Sequence, residues 1–432
     1  MKIAILGAGW AGMAAAVQAT KNGHHAIVFE ASRTTGGRAR AINATLPNGA
    51  EVTLDNGQHI LIGAYADSLS IMAEVGVREQ DALLRLPMSL RFPDGQGLQF
   101  PRWPTPLDAL AGIVTAKGWS LRDKASLLRV ATAWQISRFT CAPLLSVATL
   151  CAELSPRVMA ELIEPLCVSA LNTPAERASA QVFLRVMKDA LFGVQGGSHL
   201  LLPTVDLSAL FPAAAARWVT AQGGQVHLGH RIDKITPSGS HWQIDDQIVD
   251  AVILATASSG ATVILGNTAK VSPQPMAQRL KDWVAVADPL QFESIATVYA
   301  WAPNAHLSHP MLTLRPDPDA TCPAPAQFVF DRGQLGGPQG LLAFVISASS
   351  GDRETLQTQV IQQAQAQLGL TLQAVTTLVD KRATFACTPG LQRPAMEVAP
   401  NLLACGDYVQ GPYPATLEGA VRSGMAAAHA LR

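Results

Sequence analysis

Charge is scarce in this 432-residue chain: only 15% of its residues are Asp, Glu, Lys or Arg, and 32 bases balance 32 acids. A chain without net charge has no electrostatic pull on a polyanion, so nucleic acid is excluded as a partner. The six cysteines, at positions 141, 151, 167, 322, 387 and 405, contain no CxxC pair. That spacing excludes a zinc ribbon or other cysteine metal site and a secreted disulfide scaffold, and free thiols in the cytoplasm are expected instead. Long uninterrupted apolar runs are missing too. The uncharged stretch 3–20 is punctuated by three glycines, and the stretch 251–269 contains Ser258, Ser259, Gly260, Gly266 and Asn267. Neither reads as a spanning helix, which needs about 20 predominantly apolar residues. Repeats and low-complexity segments are also absent.

What is present is apolar: 48% of the residues are hydrophobic, enough for more than one core. Mean hydropathy is positive, so apolar surface beyond ordinary packing is expected. An internal cavity would supply it.

The chain opens as strand, turn, helix, strand. Residues 3–6 (Ile-Ala-Ile-Leu) form a short apolar run suited to a strand buried on both faces, and residues 13–21 favour a helix that stops at Gly23. Residues 26–30 give a second buried strand ending in Glu30. Between the first strand and the helix, Gly7, Gly9 and Gly12 make G-x-G-x-x-G. Each glycine has a task there: a tight turn, close backbone approach to a pyrophosphate, and close packing of helix on strand. The helix N-terminus offers free N–H groups to phosphate, and Glu30 is placed to accept hydrogen bonds from a ribose while repelling a 2′-phosphate. Dinucleotide binding follows.

Gly36, Gly37 and Arg38 come directly after this unit, where two glycines let the chain hug a ligand and a guanidinium can meet diphosphate oxygens. Near the other end, residues 402–407 read as a strand running into Gly406 with Asp407 exposed at its tip. A helix packed through small residues begins at Thr416 and Leu417. An elongated dinucleotide such as FAD needs a second anchor of this kind, with Asp407 near the ribityl or diphosphate groups and the helix N-terminus near the flavin pyrimidine.

Nucleotide-domain texture thus recurs at the start, middle and end of the chain. The expected fold is α/β, a discontinuous Rossmann-like FAD-binding domain (1–80, 196–284 and 385–432) with an inserted α+β substrate domain (81–195 and 285–384). Long helices are expected over 107–190, one broken at Pro165, with a helix over 208–222 and an antiparallel ribbon over 231–249.

Gly7 to Gly12, Glu30, Gly36-Gly37-Arg38, Gly406-Asp407 and residues 414–424 resemble the amine oxidase and carotenoid desaturase group of FAD proteins. Residues 231–235 look like that group's strand framing the adenine, through Ile232. Closer still, residues 55–65 (Asp-Asn-Gly-Gln-His-Ile-Leu-Ile-Gly-Ala-Tyr), with 389–394 and 408–424, are similar to the FAD-dependent hydroxysqualene dehydroxylases of hopanoid pathways. That resemblance implies reduction of an allylic C30 alcohol to squalene, with Gly57 and Gln58 against the flavin and Tyr413 against the substrate.

Loss of the hydroxyl needs a proton donor, for which His59 and Asp55 are the candidates, the alternative being loop shaping for His59 and turn forming for Asp55. The four tyrosines supply no evident aromatic sandwich of the amine oxidase kind, which argues against an amine substrate. No cysteine lies in a flavin-attachment motif, so noncovalent FAD is expected. The lack of a second G-x-G-x-x-G after a strand argues against a built-in NAD(P)H site and leaves the electron donor open.

Helices over 104–139 carry Trp103, Trp119, Trp134 and Phe139 among Lys and Arg. They fit either ordinary packing or peripheral contact with the inner face of a membrane, from which an isoprenoid would be drawn. The rival readings are a carotenoid desaturase, a flavin amine oxidase, and a flavin-binding module without catalysis.

Overall fold

A computed structural model describes residues 1–316 and 323–431; Cys322 lies outside the described residues. The central sheet has six strands in the order Gln225–Leu228, His25–Glu30, Lys2–Leu6, Ala251–Leu254, Leu402–Ala404, Glu397–Ala399. All neighbours are parallel except the last pair. Alternation along the first strand divides its side chains between two cores. Ile3 and Ile5 pack with Ala14, Val17 and Val421, whereas Ala4 and Leu6 pack with Ile27, Val252 and Leu254. Burial on both faces explains why these strands read as unbroken apolar runs.

The first helix spans Trp10–Lys21, three residues earlier than propensity alone places it. Gly9 is its N-cap residue, and the Met13 N–H donates to the Gly9 carbonyl at 2.9 Å. This helix lies against Leu417–Ala430, and the approach is so close that a Cβ on Gly424 would sit 2.1 Å from the Ala11 carbonyl oxygen. Packing therefore accounts for Gly424.

A second sheet is antiparallel, ordered Met311–Thr313, Phe328–Asp331, Leu341–Ser347, Phe292–Trp301, Gln373–Phe385. One face holds Val298, Val329 and Phe344 against Leu356 and Val360 of helix Arg353–Leu368. Ile295, Phe328, Phe330 and Val345 turn the other way, toward a cavity between the sheets. Helices Leu107–Thr115, Leu121–Ile136, Glu164–Leu171 and Ala180–Phe192 close that cavity.

Three local expectations are corrected, and a fourth, that 251–269 is no spanning helix, holds. Residues 231–235 form no strand; the chain leaves the sheet after Leu228, and the ribbon starts only at Thr236. Pro165 does not break its helix. A π-helical turn over Met159–Ile163 precedes it and absorbs the missing N–H, so helical chain continues from Pro156 to Leu171. The helix expected over 208–222 is two pieces, Leu207–Leu210 and Pro212–Ala221, parted at Phe211 because the residue before a proline avoids helical geometry. The apolar run 251–269 resolves into strand Ala251–Leu254 and part of helix Ser258–Val271. Among the described residues no helix is long and apolar enough to cross a membrane.

Candidate functional site

One cavity of about 1190 Å³ touches the glycine turns, Glu30 and the apolar faces of the second sheet and the helices. Of the residues marked from sequence, Gly7, Gly9, Glu30, Gly37, Arg38, Gly57, Gln58, His59, Ile232, Gly406, Asp407, Tyr413, Thr416 and Leu417 all line it. Gly12 and Asp55 do not.

Gly12 works from behind the wall: a Cβ there would stand 1.9 Å from the Gly7 carbonyl oxygen, so only glycine lets the helix start this close to the strand. The turn at Gly9 meets the later glycine pair directly through a parallel bridge between Gly9 and Gly36, and a Cβ on Gly37 would lie 3.3 Å from Gly9 Cα. Glu30 closes this corner by accepting from the Ala8 N–H (2.7 Å) and the Ser32 N–H (2.7 Å).

Across the cavity, Arg38 Nη2 donates to Asp407 Oδ1 at 2.5 Å and its Nη1 donates to the Ala383 carbonyl at 2.5 Å. Arg393 Nη1 donates to the Asp407 carbonyl at 3.1 Å. The Gly406 N–H is held by Ser423 Oγ at 3.1 Å, and Thr416 caps the last helix by accepting from the Gly419 N–H at 3.0 Å.

The segment 55–59 approaches from one side. The buried Gln58 amide oxygen accepts from Arg332 Nη1 at 3.2 Å; this buried arginine was invisible as a site residue in the sequence. His59 Nδ1 lies 2.7 Å from the Gly57 carbonyl oxygen, which requires the ring proton on Nδ1. Burial pushes the imidazole below its ordinary value and Arg38 adds to that, against the pull of the Gly57 carbonyl. With its Nδ1 hydrogen on the Gly57 carbonyl and burial disfavouring the charged ring, His59 is held in the way the loop-shaping alternative requires.

Asp55 does not line the cavity. Its Oδ1 accepts from the Leu207 N–H at 2.8 Å, and its backbone carbonyl accepts from Tyr299 Oη at 3.0 Å. Burial raises its carboxyl to about 6. It ties the strand Glu51–Asp55 to the helix Leu207–Leu210.

A polar cluster interrupts the apolar part of the wall. Tyr413 Oη donates to Asp189 Oδ2 at 2.7 Å and accepts from Arg185 Nη2 at 3.1 Å and Arg422 Nη1 at 3.3 Å. Arg185 Nε also donates to Asp189 Oδ2, at 2.8 Å. Tyr413 was marked from the sequence but its partners were not, because the i, i+4 spacing of Arg185 and Asp189 by itself marks an ordinary helix ion pair.

The wall fits a flavin dinucleotide on three observations. Helix Trp10–Lys21 begins at the cavity with neither a side-chain cap nor an acidic residue in its first turn, a free anion-binding end. Two polar atoms on cavity-lining residues, Trp10 Nε1 and Tyr408 Oη, are buried without a protein partner among the described residues. The glycine pair at 36–37 keeps side chains out of the corner beside Glu30.

Comparison with known proteins gives a consistent picture. The model of a family described as flavin containing amine oxidoreductase matches residues 10–432. Hydroxysqualene dehydroxylase of Sinorhizobium fredii is 26% identical over 455 residues, covering 98% of this chain and 96% of that protein. The protein of the same name from Rhodopseudomonas palustris is 26% identical over 451 residues, with 98% and 96% covered. In fold, the chain is like the crystal structure of an oxidoreductase from Methanosarcina mazei, with a TM-score of 0.71, 17% identity and 99% of each chain covered.

Proposed function

Because the chain belongs to the flavin-containing amine oxidoreductase family, we propose that it is an FAD-dependent oxidoreductase of isoprenoid metabolism that reduces hydroxysqualene to squalene for hopanoid synthesis. The observation that carries this reading is one continuous cavity, in which nucleotide-binding turns share a space with walls of Phe100, Leu127, Trp134, Leu162, Phe328 and Phe330. A long hydrocarbon gains roughly 25 cal/mol per Å² buried there. The full-length likeness to two hydroxysqualene dehydroxylases points to the same substrate.

FAD is held by Gly7, Gly9, Glu30, Gly37 and Arg38 at its nucleotide end, with Ile232 at the adenine. Gly57, Gln58, Gly406, Asp407, Thr416 and Leu417 lie toward the flavin. Segments 1–80, 196–284 and 385–432 form this domain; 81–195 and 285–384 enclose the substrate. Binding is noncovalent. Cys405, the thiol nearest these residues in sequence, is fully buried and pushed up to about 12 by burial, so it is neither exposed to the cavity nor a thiolate.

Reduced FAD supplies a hydride equivalent. The apolar walls align the chain and exclude water, which would otherwise trap an allylic cation. The half-buried cluster around Tyr413 favours an oxygenated substrate over the hydrocarbon of a desaturase, since a polyene offers its hydrogen-bonding groups nothing to bind.

Entry is from a membrane surface. Leu107, Leu110 and Phe192 line the cavity and are also 53%, 47% and 37% exposed, which marks a mouth. Trp103, Leu121, Ile136 and Leu144 add exposed apolar side chains on the same helical region, with the exposed bases Arg122 and Arg138 among them.

The deciding experiment mixes prereduced protein anaerobically with hydroxysqualene, phytoene or an amine panel. Squalene formation with return of the oxidised-flavin absorbance supports the proposal. Desaturation of phytoene by the oxidised protein would replace it with the desaturase reading.

A further inference from the structure

Tyr413 stands on the wall between two spaces. It lines the large cavity and, with Asp407, is one of two lining residues shared with a smaller cleft of about 410 Å³ whose sides carry Arg393, Arg422 and His429. Its ring is held between Arg185 and Arg422, whose guanidinium carbons each lie 5.1 Å from the ring centroid. Its phenolic hydrogen points to Asp189 Oδ2 at 2.7 Å. Asp189 keeps Arg185 Nε at 2.8 Å on that oxygen, so rotation about the phenol C–O bond can redirect the hydrogen into the cavity without stranding the carboxylate. The phenolate left after proton loss would face two donors already in place, Arg185 Nη2 at 3.1 Å and Arg422 Nη1 at 3.3 Å.

We propose that Tyr413 is the catalytic acid of this site, binding the hydroxyl of an otherwise hydrocarbon substrate and protonating it as it leaves. Asp189, Arg185 and Arg422 are its positioning residues. The inference rests on the reductive reading above. The carbon–oxygen bond breaks, the hydroxyl takes the phenolic proton and departs as water, and the allylic carbon takes the hydride equivalent that reduced flavin supplies. The phenolate then regains a proton from solvent through the smaller cleft. Burial, and after it the bond to Asp189, hold the phenol above its ordinary value, so the proton is present at neutral pH.

The test uses full-length, flavin-loaded protein. The oxidised form, which has no hydride to give, is titrated with hydroxysqualene and with squalene in detergent while tryptophan fluorescence is followed. Wild type should prefer the alcohol, and Tyr413→Phe should lose that preference by about two- to tenfold, the value of one net hydrogen bond. In anaerobic single turnover, prereduced Tyr413→Phe should be reoxidised by hydroxysqualene about 10²–10⁴-fold more slowly. Arg422→Gln keeps the phenol and the Asp189 bond. It should therefore keep the alcohol preference while the rate falls by about tenfold, the loss of one charged hydrogen bond to the phenolate. If Tyr413→Phe stays within about twofold of wild type in both measurements while wild type makes squalene, Tyr413 is not the acid and the reductive reading stands. If wild type leaves hydroxysqualene unchanged, both fall.

Discussion

Arg38 Nη2 lies 2.5 Å from Asp407 Oδ1, joining the two ends of the chain across 369 positions at the cavity wall. Asp407 is the more buried partner, with its side chain 8% exposed against 37% for Arg38. Asp407→Asn keeps the shape but removes the charge, and should weaken flavin binding by roughly 1.5–3 kcal/mol, the range for a charged hydrogen bond. Flavin dissociation measured by ultrafiltration, with the melting temperature alongside, checks this. Unchanged flavin affinity would mean that the pair holds only the protein together.

Two glycine substitutions separate cavity building from turn geometry. Gly12→Ala should abolish flavin binding or soluble expression, because its new Cβ would fall 1.9 Å from the Gly7 carbonyl oxygen. Gly23→Ala meets nothing within 4 Å, and its φ of +81° is its only obstacle. It should cost about 1–2 kcal/mol in stability and leave flavin content intact. Equal behaviour of the two variants would contradict the packing role given to Gly12.

Asp55 predicts a pH signature. Its folded value of about 6 stands above the ordinary 3.8, so the folded protein resists ionising it. The stability it contributes is full below about pH 3.8 and is lost as pH rises through about 6, a change of about 3 kcal/mol. Asp55→Asn has no such titration and can still accept from the Leu207 N–H. Its melting temperature relative to wild type should therefore climb between pH 4 and pH 8. A difference that stays flat across that window would show that Asp55 carries no strained charge.

How much of this was legible in the sequence depended on how local each cause is. The turn from Gly7 to Gly12, its helix and Glu30 lie within 30 residues, and spacing alone placed them at one corner. Asp55 read as a turn residue or acid because its real partners, the Leu207 N–H and Tyr299 Oη, lie 152 and 244 positions away. Tyr413 meets Asp189 across 224 positions, and Arg332 meets Gln58 across 274. Nothing near either residue announces such a contact. Pro165 misled for a different reason: the rule that proline ends helices holds for α-helical spacing, and the π turn before it changes the spacing.

The exposed leucines at the cavity mouth predict lipid binding. Leu107→Glu with Leu110→Glu should sharply reduce cosedimentation with liposomes while flavin content stays close to wild type. Both side chains are about half exposed, so the fold should tolerate the change. Undiminished liposome binding would move the membrane contact away from this mouth.

His59 and Tyr413 make opposite predictions in the same assay. The bond from His59 Nδ1 to the Gly57 carbonyl, 2.7 Å long, fixes the proton on the nitrogen that faces the backbone. Burial and the nearby Arg38 charge discourage a second proton on the other nitrogen. A ring held this way shapes the loop 56–60. His59→Ala should therefore slow anaerobic flavin reoxidation by hydroxysqualene by less than about tenfold, well short of the roughly 10²–10⁴-fold typical of a lost general acid. The loss should come with partial loss of flavin, because the loop that carries Gly57 and Gln58 is loosened. A hundredfold slower rate in variant protein that retains its flavin would return the acid role to His59, and the same rate in Tyr413→Phe as in wild type would agree with it.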